Sequence, residues 1–150
     1  MFDSLSIRRL SLFGTLAFSC LLAFSGCDRG PAMSQVRGKV LYKDGSVPQG
    51  GLCLVRFEPA ESSTAQIRKG ATCDIGADGS FELFTRMPGD GVYDGEYAVT
   101  FAVKKGPMDP TSYIPQKYTM AATTPYKVTV EGDKDDYEFE LEPLPGAPKG

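Results

Sequence analysis

Apolar and polar side chains alternate along most of the chain after residue 35. Val36, Gly38, Val40 and Tyr42 fall on one side of an extended backbone, with Arg37, Lys39 and Lys43 on the other. A period of two is the pattern of a strand with one face buried and one in water. Cys53, Val55 and Phe57 alternate with Leu52, Leu54 and Arg56 in the same way. Pro59 ends that run, because proline cannot donate to a ladder. A weaker strand is expected over 67–75, and another over 80–85 with Phe81 and Leu83 inward. The clearest alternation covers 96–104, where Tyr97, Val99, Phe101 and Val103 oppose Ala98, Thr100 and Ala102. The segments 126–131 and 137–142 read as a closing hairpin with a charged turn at 133–136. Glu138, Glu140 and Glu142 must then face water, since unpaired carboxylates are costly to bury.

The connections carry their own signals. Asp-Gly pairs stand at 44–45, 78–79, 90–91 and 94–95. Both residue types tolerate the positive φ that tight strand-to-strand turns demand. Residues 87–95 are dense in Gly, Pro and Asp and read as a loop. Residues 106–125 hold Pro107, Pro110, Pro115 and Pro125 and read as a long irregular segment. Such a segment inside a small domain is often functional or packed on the surface, and Tyr113, Ile114 and Tyr118 are available to pin it. Residues 143–150 form a Pro- and Gly-rich tail expected to be disordered. No stretch carries a ten-residue helical period, so the expectation is an all-β sandwich of about seven strands.

Composition narrows the chemistry. The 150 residues include no His, which removes every Ser-His and Cys-His catalytic pair and every His-ligated metal site. A formal net charge of -3 gives no electrostatic case for nucleic acid. The chain also lacks Asn, which excludes Asn-linked glycosylation.

The first residues read as an address. Arg8 and Arg9 precede an uncharged run over 10–26, longer than a usual signal core of roughly 7–15 residues and shorter than the ~20 that span a bilayer. Its end, Leu22-Ala23-Phe24-Ser25-Gly26-Cys27, resembles a bacterial lipobox. That resemblance implies a lipoprotein signal peptide over 1–26, cleavage before Cys27, and diacylglycerol on the Cys27 thiol; the alternatives are a plain signal peptide with an incidental Cys27 and an uncleaved membrane anchor. Stable anchoring takes more than one acyl chain, which a triacylated Cys27 would supply. Residues 27–35 then form a tether. Cys20 would leave with the leader. Cys53 and Cys73 remain, an even pair in an exported compartment; the expectation is a structural disulfide, with two buried core thiols as the alternative. They lack the Cys-x-x-Cys spacing of a redox pair.

Val36-Arg-Gly-Lys-Val40, the strand leading to Pro59, Asp78-Gly-Ser-Phe81 and Asp94-Gly-Glu-Tyr-Ala-Val99 together resemble the carboxypeptidase regulatory-like (transthyretin-like) domain. Ile114-Pro-Gln-Lys-Tyr118 through Val130 resembles the closing part of small bacterial lipoproteins that carry it. The resemblance covers most of 36–141 and implies a Greek-key, transthyretin-like (prealbumin-like) sandwich over 36–142. In metallocarboxypeptidases this domain sits beside the zinc enzyme and does no chemistry. The zinc domain's ligands have no counterpart here, so no catalytic residue carries over.

Several candidate sites compete with plainer readings. Asp74-x-Gly-x-Asp78 is faintly like a calcium loop, but an EF-hand needs ligands where Gly76 and Thr85 stand, so a hairpin turn is expected. Asp90, Asp94 and Glu96 read as turn chemistry and solvated charge. Tyr93, Tyr113 and Tyr118, with Tyr126, are candidates for an aromatic contact surface on the loops, or else loop anchors. Tyr97 is placed to tie a loop to its strand through its hydroxyl, as the corner tyrosine of Greek-key sandwiches does. The expected function is a non-enzymatic, lipid-anchored lipoprotein that binds or scaffolds at the cell envelope, on the periplasmic or cell-surface side of a bacterial membrane. Its partner would be an envelope protein or glycan, and no metal or cofactor is expected. The alternative is a carbohydrate- or peptide-binding module.

Overall fold

A computed structural model describes residues 30–150; the leader, the lipobox and Cys27 lie outside the described residues. The elements are β1 (Met33–Ser34), β2 (Val36–Tyr42), β3 (Leu52–Pro59), β4 (Ala71–Asp74), β5 (Ser80–Glu82), β6 (Val92–Tyr93), β7 (Gly95–Lys104), a single 3-10 turn (Gln116–Tyr118), β8 (Lys127–Val130) and β9 (Lys134–Leu141). The described residues form an all-β, sandwich-like unit. One sheet has the order β5-β2-β9, a second has β4-β3-β7-β8, and β1 pairs with β6 in a small third sheet. Val36, Val40, Tyr42, Phe81, Phe139 and Leu141 from the first sheet meet Val55, Phe57, Val99, Phe101 and Val103 from the second in one core. These are the inward positions of the alternation, so period two placed the faces correctly.

The segments 126–131 and 137–142 do not form a hairpin. β8 pairs antiparallel with β7, whereas β9 crosses to the other sheet and runs parallel to β2. Gln35 ties the start of β9 to the start of β2. Its amide donates to Asp133 Oδ1 at 2.7 Å, and the Lys134 amide donates to its carbonyl at 2.8 Å. Asp133 and Lys134 are therefore drawn onto the start of β2 instead of closing a turn against β8. The crossing lets Val130 and the Tyr137, Phe139 and Leu141 row enter the core from opposite sheets.

Three segments expected to be irregular are tied down. Met33 and Ser34 pair with Tyr93 and Val92, and the Ser34 hydroxyl donates to Asp94, so part of the expected tether and part of the 87–95 loop become β1 and β6. The tail over 143–150 is not loose. The Gly150 amide donates to Val47 O at 3.0 Å, the Leu144 amide donates to Tyr113 O at 2.8 Å, and Lys149 pairs with Asp44. Of the expected strand 67–75, only Ala71–Asp74 forms. Residues before it belong to a loop in which Arg68 donates to Ala60 O at 2.7 Å.

Tyr97 does what its position suggested. Its buried hydroxyl donates to Tyr93 O at 2.7 Å, tying the loop that enters β7 back onto the strand. Burial, with Asp94 nearby, pushes its pKa up to about 12, so it remains a donor. Tyr97→Phe leaves the Tyr93 carbonyl buried without this partner and is expected to cost roughly 1–3 kcal/mol. Thermal denaturation of the two proteins checks this, and identical midpoints would mean the clasp contributes nothing.

Candidate functional site

The two sheets present unlike outer faces. On the β5-β2-β9 side, cations on and just beyond β2, and one from the 3-10 turn, are matched by carboxylates on and just beyond the neighbouring strands. Arg37 pairs with Glu82 at 2.8 Å and Lys43 with Glu142 at 2.6 Å, while Lys117 reaches the same Glu142 at 2.7 Å. Those two lysines hold the Glu142 carboxyl down to about 2. Glu138 and Glu140 are exposed, as expected. This face is laced with charge that largely neutralises itself.

The outer face of β3 and β7 is different. The antiparallel register sets Leu52 opposite Lys104, Leu54 opposite Ala102, Arg56 opposite Thr100 and Glu58 opposite Ala98. Two leucines and two alanines thus stand where a solvated strand face would carry polar side chains. Thr100 donates to Glu58 Oε1 at 2.8 Å, and Arg56 lies 4.0 Å from the same carboxylate. Residues 106–125 border this face. The Tyr113 amide donates to Val103 O at 2.8 Å, and the Thr124 hydroxyl donates to Val99 O at 2.6 Å. Between these points the segment runs beside β7 with Tyr118 and Ile114 buried beneath it. Strand and loop enclose a groove of about 250 Å³ lined by Leu52, Leu54, Arg56, Ala102, Lys104 and Thr119. A second groove of about 520 Å³, walled by Pro110, Ile114 and Leu144, shares Lys104 and Thr119 with it.

The residues singled out from the sequence fall elsewhere. Tyr93 and Tyr118 are buried and Tyr113 is half-buried, so these three do not form an exposed aromatic surface. Tyr118 stacks on Tyr126 at 6.1 Å, and the Tyr126 hydroxyl donates to Glu140 O. The tyrosines fasten the long loop to both sheets. A phenol can be an anchor because its ring suits the core and its hydroxyl finds a backbone partner.

Cys53 and Cys73 stand as free thiols, and the expected disulfide is not formed. The register explains this: Cys73 faces Val55, and Cys53 lies one rung away beside Ile75. Residues so placed are diagonal neighbours with Cα atoms roughly 7–8 Å apart, at or beyond the limit of disulfide geometry. Burial pushes the Cys73 thiol up to about 12 and raises that of Cys53, which keeps both protonated and poor nucleophiles.

The carboxylates the sequence offers for a cation are engaged by backbone amides and nearby hydroxyls. Asp78 accepts from the amide and hydroxyl of Ser80 at 3.0 and 2.6 Å. Asp90 accepts from the amides of Thr85, Arg86 and Met87; burial opposes the charge, but these bonds bring its carboxyl below the ordinary value. Asp94 receives the Ser34 hydroxyl. No cluster of three or more metal-ligating side chains occurs among the described residues.

The groove on β3 and β7 was missed by reasoning from the sequence. Its signal was there in Leu52 and Leu54, which share a face with Arg56 and not with the core residues Val55 and Phe57. Compared with known proteins, the chain matches no family model, no curated protein and no solved structure.

Proposed function

We propose that this chain is a non-enzymatic, lipid-anchored binding module of a bacterial cell envelope, folded as a Greek-key sandwich of the carboxypeptidase regulatory-like (transthyretin-like) kind. In this reading Cys27 carries the lipid, and the outer face of β3 and β7 meets the partner. The observation that carries the binding reading is the contrast between the outer faces: one neutralises its own charges, and the other offers Leu52, Leu54 and Ala102 beside a loop-walled groove. The anchoring reading rests on the lipobox resemblance ending at Cys27. Asp78, Asp90 and Asp94 support a non-enzymatic role, since Asp78 and Asp90 are committed to turn and backbone hydrogen bonds and Asp94 accepts from the Ser34 hydroxyl.

Between the two binding alternatives, a peptide suits the groove better than a sugar. A sugar platform would call on exposed tyrosines, and Tyr93 and Tyr118 are buried.

Anchoring is tested by expressing the full chain and its Cys27→Ser variant in a bacterium and separating membranes from soluble fractions. The parent is expected in the membrane fraction, released by detergent and not by salt, with an intact mass of residues 27–150 plus lipid. The variant is expected to lose the lipid mass. An acyl-free parent in the soluble fraction would overturn the anchoring reading, as would a variant that carries the same added mass.

A further inference from the structure

β8 ends the order β4-β3-β7-β8 and β9 ends β5-β2-β9, so each has a strand neighbour on one side only. The Leu141 carbonyl of β9 accepts from the Lys43 amide at the β2 side. The N–H and C=O groups of Glu138 and Glu140 therefore point away from β2. On β8, Val128 stands opposite Tyr97, and the Tyr126 carbonyl accepts from the Val99 amide at 2.8 Å. Thr129 thus turns its backbone groups away from β7. A row of outward backbone groups is a template on which a further strand can add.

Two phenols occupy these edges, each reaching across from the other strand. Tyr126, one residue before β8, donates to Glu140 O and accepts from the Glu140 amide, the latter at 3.1 Å. Tyr137, on β9, donates to Thr129 O at 3.2 Å. A hydroxyl carries one donor and two lone pairs, so one phenol can serve both backbone groups of a residue. Burial raises the pKa of both tyrosines, which keeps them protonated. The other end of the two sheets is closed differently: the Thr72 amide of β4 donates to Phe84 O, just past β5, at 3.1 Å, so backbone itself covers that edge. No backbone hydrogen bond joins β8 to β9 among the described residues.

We propose that Tyr126 and Tyr137 guard this corner against strand addition, and that the strand they keep out is β9 of a second copy of this chain. β9 is the longer of the two edge strands, eight residues against four. Two copies of one edge can pair antiparallel about a two-fold axis. The Tyr126 hydroxyl holds the Glu140 N–H and C=O that such a partner must use. Glu138 and Glu140 add a second barrier. Both are exposed, and no ion pair within 4.0 Å engages either. Pairing two β9 edges sets their like charges against one another. Removing the charge alone still leaves the backbone occupied. The guard is independent of the binding face on β3 and β7.

The test reads self-association of the purified full chain in a mild detergent by sedimentation velocity. Glu138→Gln with Glu140→Gln, Tyr126 intact, is expected to associate no more than the parent. Adding Tyr126→Phe, which keeps the ring beside Phe139 and deletes the hydroxyl, is expected to tighten association at least tenfold. Glu140→Pro in place of Glu140→Gln is expected to undo that gain. The Glu140 amide faces away from β2, so proline there breaks no ladder bond of its own sheet and denies one to a newcomer. Tyr97→Phe, which loses a phenol hydroxyl away from this corner, is expected to associate no more than the parent. Equal association with and without the Tyr126 hydroxyl, association that survives the proline, or the same association in Tyr97→Phe would each overturn the proposal. The parent alone supplies a second measurement should a variant fail to fold. By hydrogen exchange the Glu140 amide is expected to be at least tenfold more protected than the Glu138 amide, which faces the same edge without a hydroxyl. Equal protection would show that Tyr126 does not hold the edge and would sink the proposal.

Discussion

Phe139→Ala should destabilise the sandwich by roughly 3–5 kcal/mol, a large share of the ~5–15 kcal/mol that holds a domain of this size together. Phe139 lies on β9 and is 3% exposed. Its ring meets five others: Tyr126 at 5.2 Å, Phe101 at 5.4 Å, Phe81 at 5.9 Å, Tyr137 at 6.0 Å and Phe57 at 6.2 Å. Phe57 and Phe101 come from the four-stranded sheet and Phe81 from the three-stranded one, so this side chain joins the two layers. Truncation to a methyl removes the buried area and leaves a cavity whose walls are rings fixed by other contacts, which limits collapse. Phe139→Leu keeps most of the volume and is expected to cost under about 1.5 kcal/mol. Glu140→Ala, next along the strand and facing water, is expected to change stability by less than about 0.5 kcal/mol. Urea unfolding of the three variants against the parent gives the ranking. A loss below about 1.5 kcal/mol for Phe139→Ala would mean the core repacks freely and that no single ring joins the sheets.

Gly38→Val should cost about 3 kcal/mol, at the upper end of what over-packing usually exacts. Gly38 sits in the middle of β2, opposite Tyr137 of β9. The register between these parallel strands shifts between Val36 and Gly38, where β9 fits an extra residue. That irregularity brings the β9 backbone down on Gly38: a Cβ there would lie 2.1 Å from Tyr137 O and 2.7 Å from Tyr137 Cβ. A glycine inside a strand often marks such a close approach. The obstacle is a carbonyl in a ladder and not the end of a flexible side chain, so relief requires the strands to part. Parting them also moves Tyr137 and Phe139, which links this change to the aromatic cluster. Gly38→Ala is expected to follow in the same direction. Its loss would exceed the ~0.5–1 kcal/mol that alanine normally gains over glycine in a strand. Unfolding midpoints and amide exchange over 137–140 report the effect, and variants as stable as the parent would show that the β9 backbone yields.

Much of this architecture was legible from alternation alone, and the reasons for the exceptions are physical. Val99, Phe101 and Val103 declare their face because side chains of a pleated strand point in alternate directions. Alternation does not name a strand's neighbour. Tyr137, Phe139 and Leu141 would look the same beside β8 or beside β2, and nothing local to them records that β9 runs parallel to β2, a partner more than ninety positions away. β1 and β6 are two residues each, too short to show any period. The groove face was half legible. Leu52 and Leu54 break the expected polarity of an outward row, but the loop residue that borders their groove, Thr119, is more than sixty positions away. Tyr93 and Tyr118 could have been displayed or inserted, since a phenol serves both ends, and only their packing decides.

The parallel partnership of β2 and β9 also constrains when the molecule can come together. Gln35 and Asp133, which begin that partnership, are 98 positions apart. Loops that long close late, because the entropy of joining distant segments must be met before their contacts repay it. During synthesis β2 emerges well before β9 and waits, one of its edges bare, until β9 has followed. For a chain that is exported as proposed, this delay is useful: a polypeptide that cannot complete its sandwich before its last strand appears stays threadable through a translocation channel, and closes once it has crossed.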